Sequence, residues 1–507
     1  TATIAGRSDV GGLVGNSGNG SISSSSSGGT VAGTGDFVGG LVGRTGGGKI
    51  ESRHATGQVI GKKEVGGLIG VYVQGGAPAL TSSWATGQVD GDDRVGGLIG
   101  ASTGKVTFSY ATGAVTATGT NPTLAGYAFA GGLIGIQDNH GTEDSYASGA
   151  VSGPLKGVGG LIGSNAGPIL RSATIAGQTV TGGTNAGSVG GLVGDNQGQI
   201  SSSRSASTVN APGTVEAIGG LVGLHSSGFN ILTSYATGNV TAAGANKVGG
   251  LVGWQVTGQI VGSHAHGNVS GLQDVGGLVG FSSTPAVNHS HATGAVSGQT
   301  FVGGLIGNKA AGLTDSGFAT GAVTGSTDYV GGLIGFNTGA VRKSYAKTGI
   351  VTGQNWVGGL VGYNQGTIET SYAVKSVSGS IYVGGLVGQS ADPVSFGIKD
   401  CYAQGAVAGT DAIGGLVGRN EILSNIARCY ASGTVTVNAG ALAGAVLKGS
   451  PVVSAGGLIG NNQRPNNFDN YWNADTAGYP GVGIGFAAGA TGLTSAQMLL
   501  QASFGGF

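Results

Sequence analysis

The chain is poor in charge and in cysteine, and it has no long apolar run. Only 9% of its 507 residues are charged and the net charge is zero, which gives no electrostatic reason to expect nucleic acid or an acidic membrane as a partner. No stretch of 18 apolar residues occurs, so we predict no membrane-spanning segment. Two cysteines say little about the redox compartment. The chain opens at Thr1 without a Met or a signal peptide, so we expect a processed product or a fragment.

Glycine is abundant instead, with 112 residues. It does not fall at every third position, which excludes collagen. Disordered chains are charged and poor in Val, Ile and Leu, whereas 39% of this chain is apolar. Many of the glycines belong to the string Val-Gly-Gly-Leu-Val-Gly or a close variant, which occurs 16 times. The copies begin at Val10, Val38, Val65, Val95, Ala130, Val158, Val189, Ile218, Val248, Val275, Val302, Val330, Val357, Val383, Ile413 and Ala455.

The usual spacing between copies is 26 to 31 residues. A repeat of that period predicts a stacked array rather than a globular enzyme. No Ser-His-Asp or paired-carboxylate arrangement follows from the repeat. We therefore predict that the chain is not an enzyme and has no cofactor and no metal site.

Within one repeat, small and apolar residues alternate with polar ones. In Ser-Tyr-Ala-Thr-Gly-Asn-Val, starting at Ser234, alternate residues share one face of a strand. We interpret the recurring Ala and Val as interior columns. The Ala column is Ala55, Ala85, Ala111, Ala147, Ala236, Ala265, Ala292, Ala319, Ala346, Ala373, Ala403 and Ala431. The Val column is Val59, Val89, Val115, Val151, Val240, Val269, Val296, Val323, Val351, Val377, Val407 and Val435. Whether Leu or the following Val or Ile of the string faces inward stays open.

The pattern predicts an all-β chain, with about three short strands per repeat forming one coil of a three-sided parallel β-helix. Coils stack at ~4.8 Å, so the repeats would build a single rod on the order of 80 Å long. We expect Asn at a fixed turn to form ladders of side-chain amides. These are Asn165, Asn196, Asn337, Asn364, Asn420 and Asn462. We assign residues 1–463 to the solenoid and residues 464–507 to a C-terminal cap, with a short helix capped by Thr494 or Ser495.

The repeat resembles the GLUG motif of bacterial surface proteins, in particular the GLUG regions of filamentous-haemagglutinin-type adhesins. There, a Tyr-Trp-Asp segment and a Gly-Leu-Thr-x-x-Gln-Met segment commonly follow the last repeat. Residues 471–473 and 492–498 match these segments, with Asn473 in place of Asp. The resemblance implies secretion to the bacterial cell surface and a role in adhesion or biofilm matrix. It implies no particular binding residue.

A local aromatic stripe is the candidate ligand-binding site. Phe301, Tyr329, Trp356 and Tyr382 precede the string in four consecutive repeats. Elsewhere this position is usually small, polar or charged. More aromatic residues follow the string, at Trp254, Phe281, Phe336 and Tyr363. Exposed stacked rings suit a surface glycan, an exopolysaccharide or a neighbouring rod. The alternative is that these rings only pack on one another.

Four other sets of residues have weaker claims to a function. A column of rings accompanies the Ala column, and we interpret it as structural: Tyr110, Tyr146, Tyr235, Tyr345, Tyr372, Tyr402 and Tyr430, with Trp84, Phe318, His54, His264 and His291 at the same position. The histidines at 264, 266, 289 and 291 are grouped, but we favour surface residues over a Zn²⁺ or Cu²⁺ site. Cys401 and Cys429 should be stacked, buried thiols. The runs at 62–64 and 92–94 should form a surface charge pair worth little.

We therefore predict a secreted, non-catalytic adhesin or biofilm-matrix rod that acts as a stalk and binds glycans or cell surfaces. One alternative is a self-assembling extracellular fibre subunit. A second alternative is an ice-binding solenoid, which needs regularly paired Thr. The chain offers one such column, with varied neighbours: Thr56, Thr86, Thr112, Thr237, Thr293 and Thr320.

Overall fold

The computed structural model describes residues 3–48, 50–73, 80–119, 128–154, 156–184, 186–391, 397–438, 454–464, 469–486 and 489–500. The chain divides into two compact units, Thr1–Gly267 and Asn268–Phe507. In each unit the strands of one repeat pair in parallel with the same strands of the next. Val65 pairs with Val95 in the first unit, and Val330 pairs with Val357 in the second. The predicted parallel β-helix is confirmed as the fold of each unit, while the single rod stays a prediction.

Each coil holds five short strands rather than the predicted three. In the first unit, one coil consists of Asp93–Gly96, Ile99–Ser102, Val106–Thr107, Tyr110–Ala111 and Val115–Ala117. In the second unit, one coil consists of Asp328–Gly331, Ile334–Asn337, Ala340–Arg342, Tyr345–Ala346 and Ile350–Thr352. Most other coils follow this pattern. In two places neighbouring strands merge, as Val240–Gly249 and Val269–Gly276.

The repeated string turns a corner of the coil instead of forming one strand. In the copy that starts at Val330, the chain bends at residues 332–333, and Val330, Leu333 and Ile334 are all fully buried. The sequence left open whether Leu or the following Val or Ile of the string faces inward. Because of the bend, both Leu and the following Ile do. Glycine is required by close approach: a Cβ on Gly331 would overlap the carbonyl oxygen of Ile334.

The interior columns are confirmed. Every member of the Ala column and of the Val column is buried. A serine column lies beside them and is linked from coil to coil, since the Ser83 amide donates to Ser109 Oγ at 3.2 Å and the Ser109 amide donates to Ser145 Oγ at 3.1 Å. Each hydroxyl donates back to the carbonyl two residues earlier, as Ser109 does to Thr107. The polar groups of this column are therefore satisfied inside the solenoid.

The predicted asparagine ladder is also present. Asn337 Nδ2 donates to Asn364 Oδ1 at 2.7 Å, and Asn165 Nδ2 donates to Asn196 Oδ1 at 2.7 Å. Lys309 takes the same position one coil before Asn337. Its Nζ donates to two backbone carbonyls at 2.7 and 2.8 Å, and burial lowers its pKa to about 7.

Parallel pairing continues past residue 463. Val482–Gly485 pairs with Ile459–Asn462, and Ala490–Leu493 pairs with Asn470–Asn473. A four-residue helix, Ala474–Ala477, follows the strand Asn470–Asn473. The side chain of its N-cap residue, Asn473, accepts a hydrogen bond from the Asp475 amide. At the predicted helix near Leu500 there is a 3-10 turn, Gln497–Leu499, whose first amide donates to Thr494 Oγ1 at 3.2 Å. The capping role of residues 464–507 stays a prediction.

Candidate functional site

The four stripe residues have a left-handed backbone. The φ angles of Phe301, Tyr329, Trp356 and Tyr382 are 56°, 59°, 52° and 58°, a region that bulky residues rarely adopt. These residues drop out of the strand pairing. Asn355 and Val357, on either side of Trp356, both pair with residues of the next coil. Trp356 itself has no paired residue there. The kink resembles a β-bulge, which re-aims a side chain at the rim of a sheet.

The stripe side chains stack from coil to coil. Ring centroids of Phe301 and Tyr329 are 4.9 Å apart, and those of Tyr329 and Trp356 are 4.8 Å apart, with interplanar angles of 10° and 14°. Trp356 and Tyr382 are 5.6 Å apart and tilted by 35°. All four side chains are half-buried rather than fully exposed. The structure thus brings the four predicted residues together, and ligand binding by them stays a prediction.

A second row of rings packs against the stripe. Phe336 and Tyr363, on the strands that follow the string, stack at 5.3 Å with an interplanar angle of 1°. They stand nearly perpendicular to the stripe, with Phe336 5.7 Å from Phe301 and Tyr363 5.8 Å from Tyr329. We call Phe301, Tyr329, Trp356, Tyr382, Phe336 and Tyr363 the aromatic corner. Burial, with Asp328 and Tyr363 nearby, raises the pKa of Tyr329.

Polar groups close one end of the aromatic corner. Trp356 Nε1 donates to Gln389 Oε1 at 2.6 Å, and Gln389 Nε2 donates to Glu421 Oε1 at 2.9 Å. Arg419 Nη1 donates to the Tyr382 hydroxyl at 3.1 Å, and its guanidinium lies 5.3 Å from the centre of that ring. Such groups can bind the hydroxyls of a ligand whose apolar part contacts the rings.

Gln389 and Arg419 were not among the residues predicted from the sequence. The signal that would have found them is their position, since Tyr363 pairs with Gln389 and Gln389 with Arg419. They therefore continue the second row of the aromatic corner. Trp254, also noted in the sequence, lies in the first unit, where Lys247 Nζ is 3.8 Å from the centre of its ring.

The column of rings beside the Ala column forms a regular ladder. In the second unit its neighbouring centroids lie 4.4 to 5.0 Å apart with interplanar angles of 0° to 4°. The members of this tyrosine ladder are His291, Phe318, Tyr345, Tyr372, Tyr402 and Tyr430. In the first unit the stack is shorter, with Tyr110 and Tyr146 4.9 Å apart. Stacking of rings alone therefore does not single out the aromatic corner.

The grouped histidines are divided between the two units. His264 and His266 lie in the first unit, with ring centroids 4.7 Å apart and tilted by 55°. His289 has a φ of 49° and lies in the turn before His291. Among the residues that the structure describes, no group of three or more His, Cys, Asp or Glu is placed to hold a metal ion.

Cys401 and Cys429 are neighbours in adjacent coils, as predicted. Both are free thiols, 1% and 0% exposed. Each lies beside one of the paired residues Tyr402 and Tyr430. Cys429 Sγ donates to a carbonyl at 3.2 Å, and burial raises the pKa of this thiol. The prediction of two shielded thiols in the serine column is confirmed.

The predicted charge pair between adjacent coils of the first unit is present, but its carboxylates are buried rather than at the surface. Glu64 and Asp93 are 4% and 1% exposed. Arg94 forms an ion pair with Glu64, and Lys63 Nζ lies 3.7 Å from Glu64 Oε1. Glu64 and Arg94 have the same left-handed backbone as the stripe residues. Burial raises the pKa of both carboxyls.

Residues 409–436 match the family model of the GLUG motif. This segment runs from one string to the following Tyr-Ala-Ser-Gly, and the other coils repeat its pattern. No curated protein and no solved structure matches the chain significantly. In the described part of the chain, no helix has the length and apolarity needed to cross a bilayer.

Proposed function

We propose that this chain is a non-catalytic segment of a secreted bacterial adhesin or biofilm-matrix protein, because residues 409–436 match the GLUG motif and their pattern recurs along a β-solenoid. GLUG repeats occur in extracellular proteins. A β-solenoid built from GLUG repeats is typically structural rather than catalytic. The segment would act as a stalk and would also bind a surface glycan or an exopolysaccharide through the aromatic corner.

The single observation that carries the binding proposal is the aromatic corner itself. Six half-buried rings from four consecutive coils meet there, and part of each ring remains accessible. At the same backbone position the first unit carries Glu64, Arg94 and Lys247 as well as Phe37. Since the fold accepts charged residues at this position, the rings are not required by the backbone. Accessible aromatic surface suits the C–H groups of a sugar.

The polar end of the corner supports a glycan over a purely apolar partner. Glu421 and Arg419 present carboxylate and guanidinium groups at this end, and the buried Gln389 links Glu421 to Trp356. Sugars offer an apolar face together with hydroxyl donors and acceptors. A site with a few oriented polar groups next to rings can bind both parts of such a ligand.

A pair of matched double variants tests this proposal. A glycan array probed with the whole chain identifies a ligand, and the affinity for it is then compared between variants. Replacing Tyr329 and Trp356 with Ala should weaken binding at least about tenfold, equivalent to ~1.4 kcal/mol. The control replaces Tyr345 and Tyr372 with Ala, which removes two stacked rings from the tyrosine ladder. The control should bind as the parent does.

Three results would count against the proposal. The array could show no glycan above background. The Tyr329 and Trp356 double variant could fold normally and bind with unchanged affinity, which would remove the corner as the site. Both double variants could lose affinity and melting temperature equally, which would make the corner a structural ladder.

A further inference from the structure

A buried histidine takes one position of the asparagine ladder in the first unit. Asn196 pairs with His225, and His225 pairs with Gln255, in consecutive coils. His225 is 0% exposed. A Cβ on Gly258 would lie only 2.6 Å from its Nε2, so the ring is tightly enclosed on that side. The histidine therefore has to meet its hydrogen-bonding needs within the ladder rather than with bulk water.

Both ring nitrogens of His225 are hydrogen-bonded. Nε2 lies 2.7 Å from the carbonyl oxygen of Phe229, and Nδ1 lies 3.0 Å from Asn196 Nδ2. A carbonyl oxygen only accepts, so Nε2 carries the proton and donates. An amide nitrogen only donates, so Nδ1 is unprotonated and accepts. The two bonds together fix a neutral imidazole in one tautomer.

The orientation of the Asn196 amide is itself fixed by its neighbours. Its Oδ1 accepts from Asn165 Nδ2 at 2.7 Å, and its Nδ2 also donates to the carbonyl oxygen of Gly198 at 2.7 Å. Rotating the amide to offer its oxygen to a protonated Nδ1 would lose both of these bonds. A second proton on His225 would thus place two donors against each other in a buried site.

The surroundings of His225 offer no charge to compensate a second proton. In this described part of the chain, the strand of His225, the two strands paired with it, and the turns and short strands that follow all three carry one titratable residue, Asp195. Asp195 pairs with Leu224, and successive side chains of a strand point to opposite faces. Asp195 therefore does not face His225. Burial lowers the pKa of the His225 imidazole.

We propose that His225 makes this corner of the solenoid acid-sensitive. Protonation of Nδ1 breaks the hydrogen bond to Asn196 and displaces the ring. Residues 226–230, which the bond from Nε2 to the Phe229 carbonyl holds in place, then open with it. The folded-state pKa of His225 lies below its ordinary value of 6.5. The contribution of His225 to stability is therefore complete above pH 6.5 and is lost as the pH falls from there toward the folded-state pKa.

Hydrogen exchange of the segment 222–231, measured by mass spectrometry on the whole chain, tests this proposal. The informative amide is that of Ser226, which donates to the Asn196 carbonyl at 3.1 Å. His225→Asn and His225→Gln install the residues found one coil earlier and one coil later. After correction for intrinsic rates, the exchange of the parent should accelerate between about pH 7.5 and about pH 5 roughly tenfold more than that of either variant.

A matched control and a second readout complete the test. His289 is an exposed histidine of the second unit, so His289→Asn should keep the acid response of the parent. Nuclear magnetic resonance of the His225 Cε1 proton should show a titration midpoint below 6.5. A midpoint at or above 6.5 would overturn the proposal. So would an equal acceleration of exchange in the parent and in both His225 variants.

Discussion

The second unit carries two columns of stacked rings that the backbone holds in different ways. In the tyrosine ladder, each ring lies on a short strand, and Tyr345 pairs directly with Tyr372 in the next coil. In the aromatic corner, each stripe residue has a φ between 52° and 59°, and Trp356 is left out of the strand pairing. Strand pairing therefore positions the ladder, whereas a left-handed kink positions the stripe.

The two columns differ in which residue types the backbone favours at their positions. Left-handed backbone costs a residue with a Cβ roughly 1–2 kcal/mol, and Gly avoids that cost. The fold imposes this kink in both units, at Glu64 and Arg94 as well as at Tyr329 and Trp356. The backbone does not require a ring at this position. The rings therefore contribute through their contacts with one another or with a ligand. The ladder rings, by contrast, occupy extended positions that favour aromatic residues.

The largest expected effect on stability comes from the buried Ala column that follows the ladder residues. Ala319 is fully buried directly after the ladder residue Phe318. Replacing Ala319 with Leu should overpack the interior and lower the free energy of unfolding by about 1–3 kcal/mol. Urea unfolding measures the loss. Thr320→Leu, at the next and partly exposed position, is the control and should change stability by no more than about 0.5 kcal/mol. Equal stabilities of Ala319→Leu and the parent would contradict an interior Ala column.

The difference in stability between a Gly and an Ala variant should be smaller, and it should have opposite signs at the two columns. At Trp356 the Gly variant should be more stable than the Ala variant by about 1 kcal/mol, because Gly tolerates the left-handed backbone. At Tyr372 the Gly variant should be less stable than the Ala variant by roughly 0.5–1 kcal/mol, because Gly weakens an extended strand. Urea unfolding of the four single variants provides both differences. If both differences have the same sign, the two columns do not differ in backbone strain.

Much of the fold follows from the sequence because each coil repeats the same packing problem. The Ala and Val columns, the Asn ladder and the parallel stacking could be inferred from spacing and alternation alone. The string could not be resolved, because alternation assumes a straight strand, and here a bend at residues 332–333 turns Leu333 and Ile334 inward together. The burial of Glu64 and Asp93 could not be inferred either, because runs of charged residues are expected at the surface.

The candidate sites were predictable to different degrees. The stripe was visible because four consecutive repeats carry rings at one position. Its polar end was not, because Gln389 and Arg419 look ordinary until strand register places them in the row of Tyr363.

The smallest expected effect concerns the ladder at alkaline pH. Burial, followed by the neighbouring Tyr430 and Tyr372, raises the pKa of Tyr402 from 10 to about 12. The folded state thus favours the neutral phenol. This contribution to stability is complete below pH 10 and is lost as the pH rises through about 12. Tyr402→Phe keeps the stacked ring but has no proton to lose, so the stability of this variant should fall less steeply over that interval.

Urea unfolding at several pH values, with phenolate absorbance recorded on the native chain, checks this prediction. Below pH 10 the parent and Tyr402→Phe should differ little in pH dependence, which serves as the internal control. Between pH 10 and 12 the two stability curves should diverge, and the parent should show one late-titrating phenol that the variant lacks. Parallel curves throughout, or loss of a phenol titrating near 10 in the variant, would mean that Tyr402 is not shielded by its neighbours.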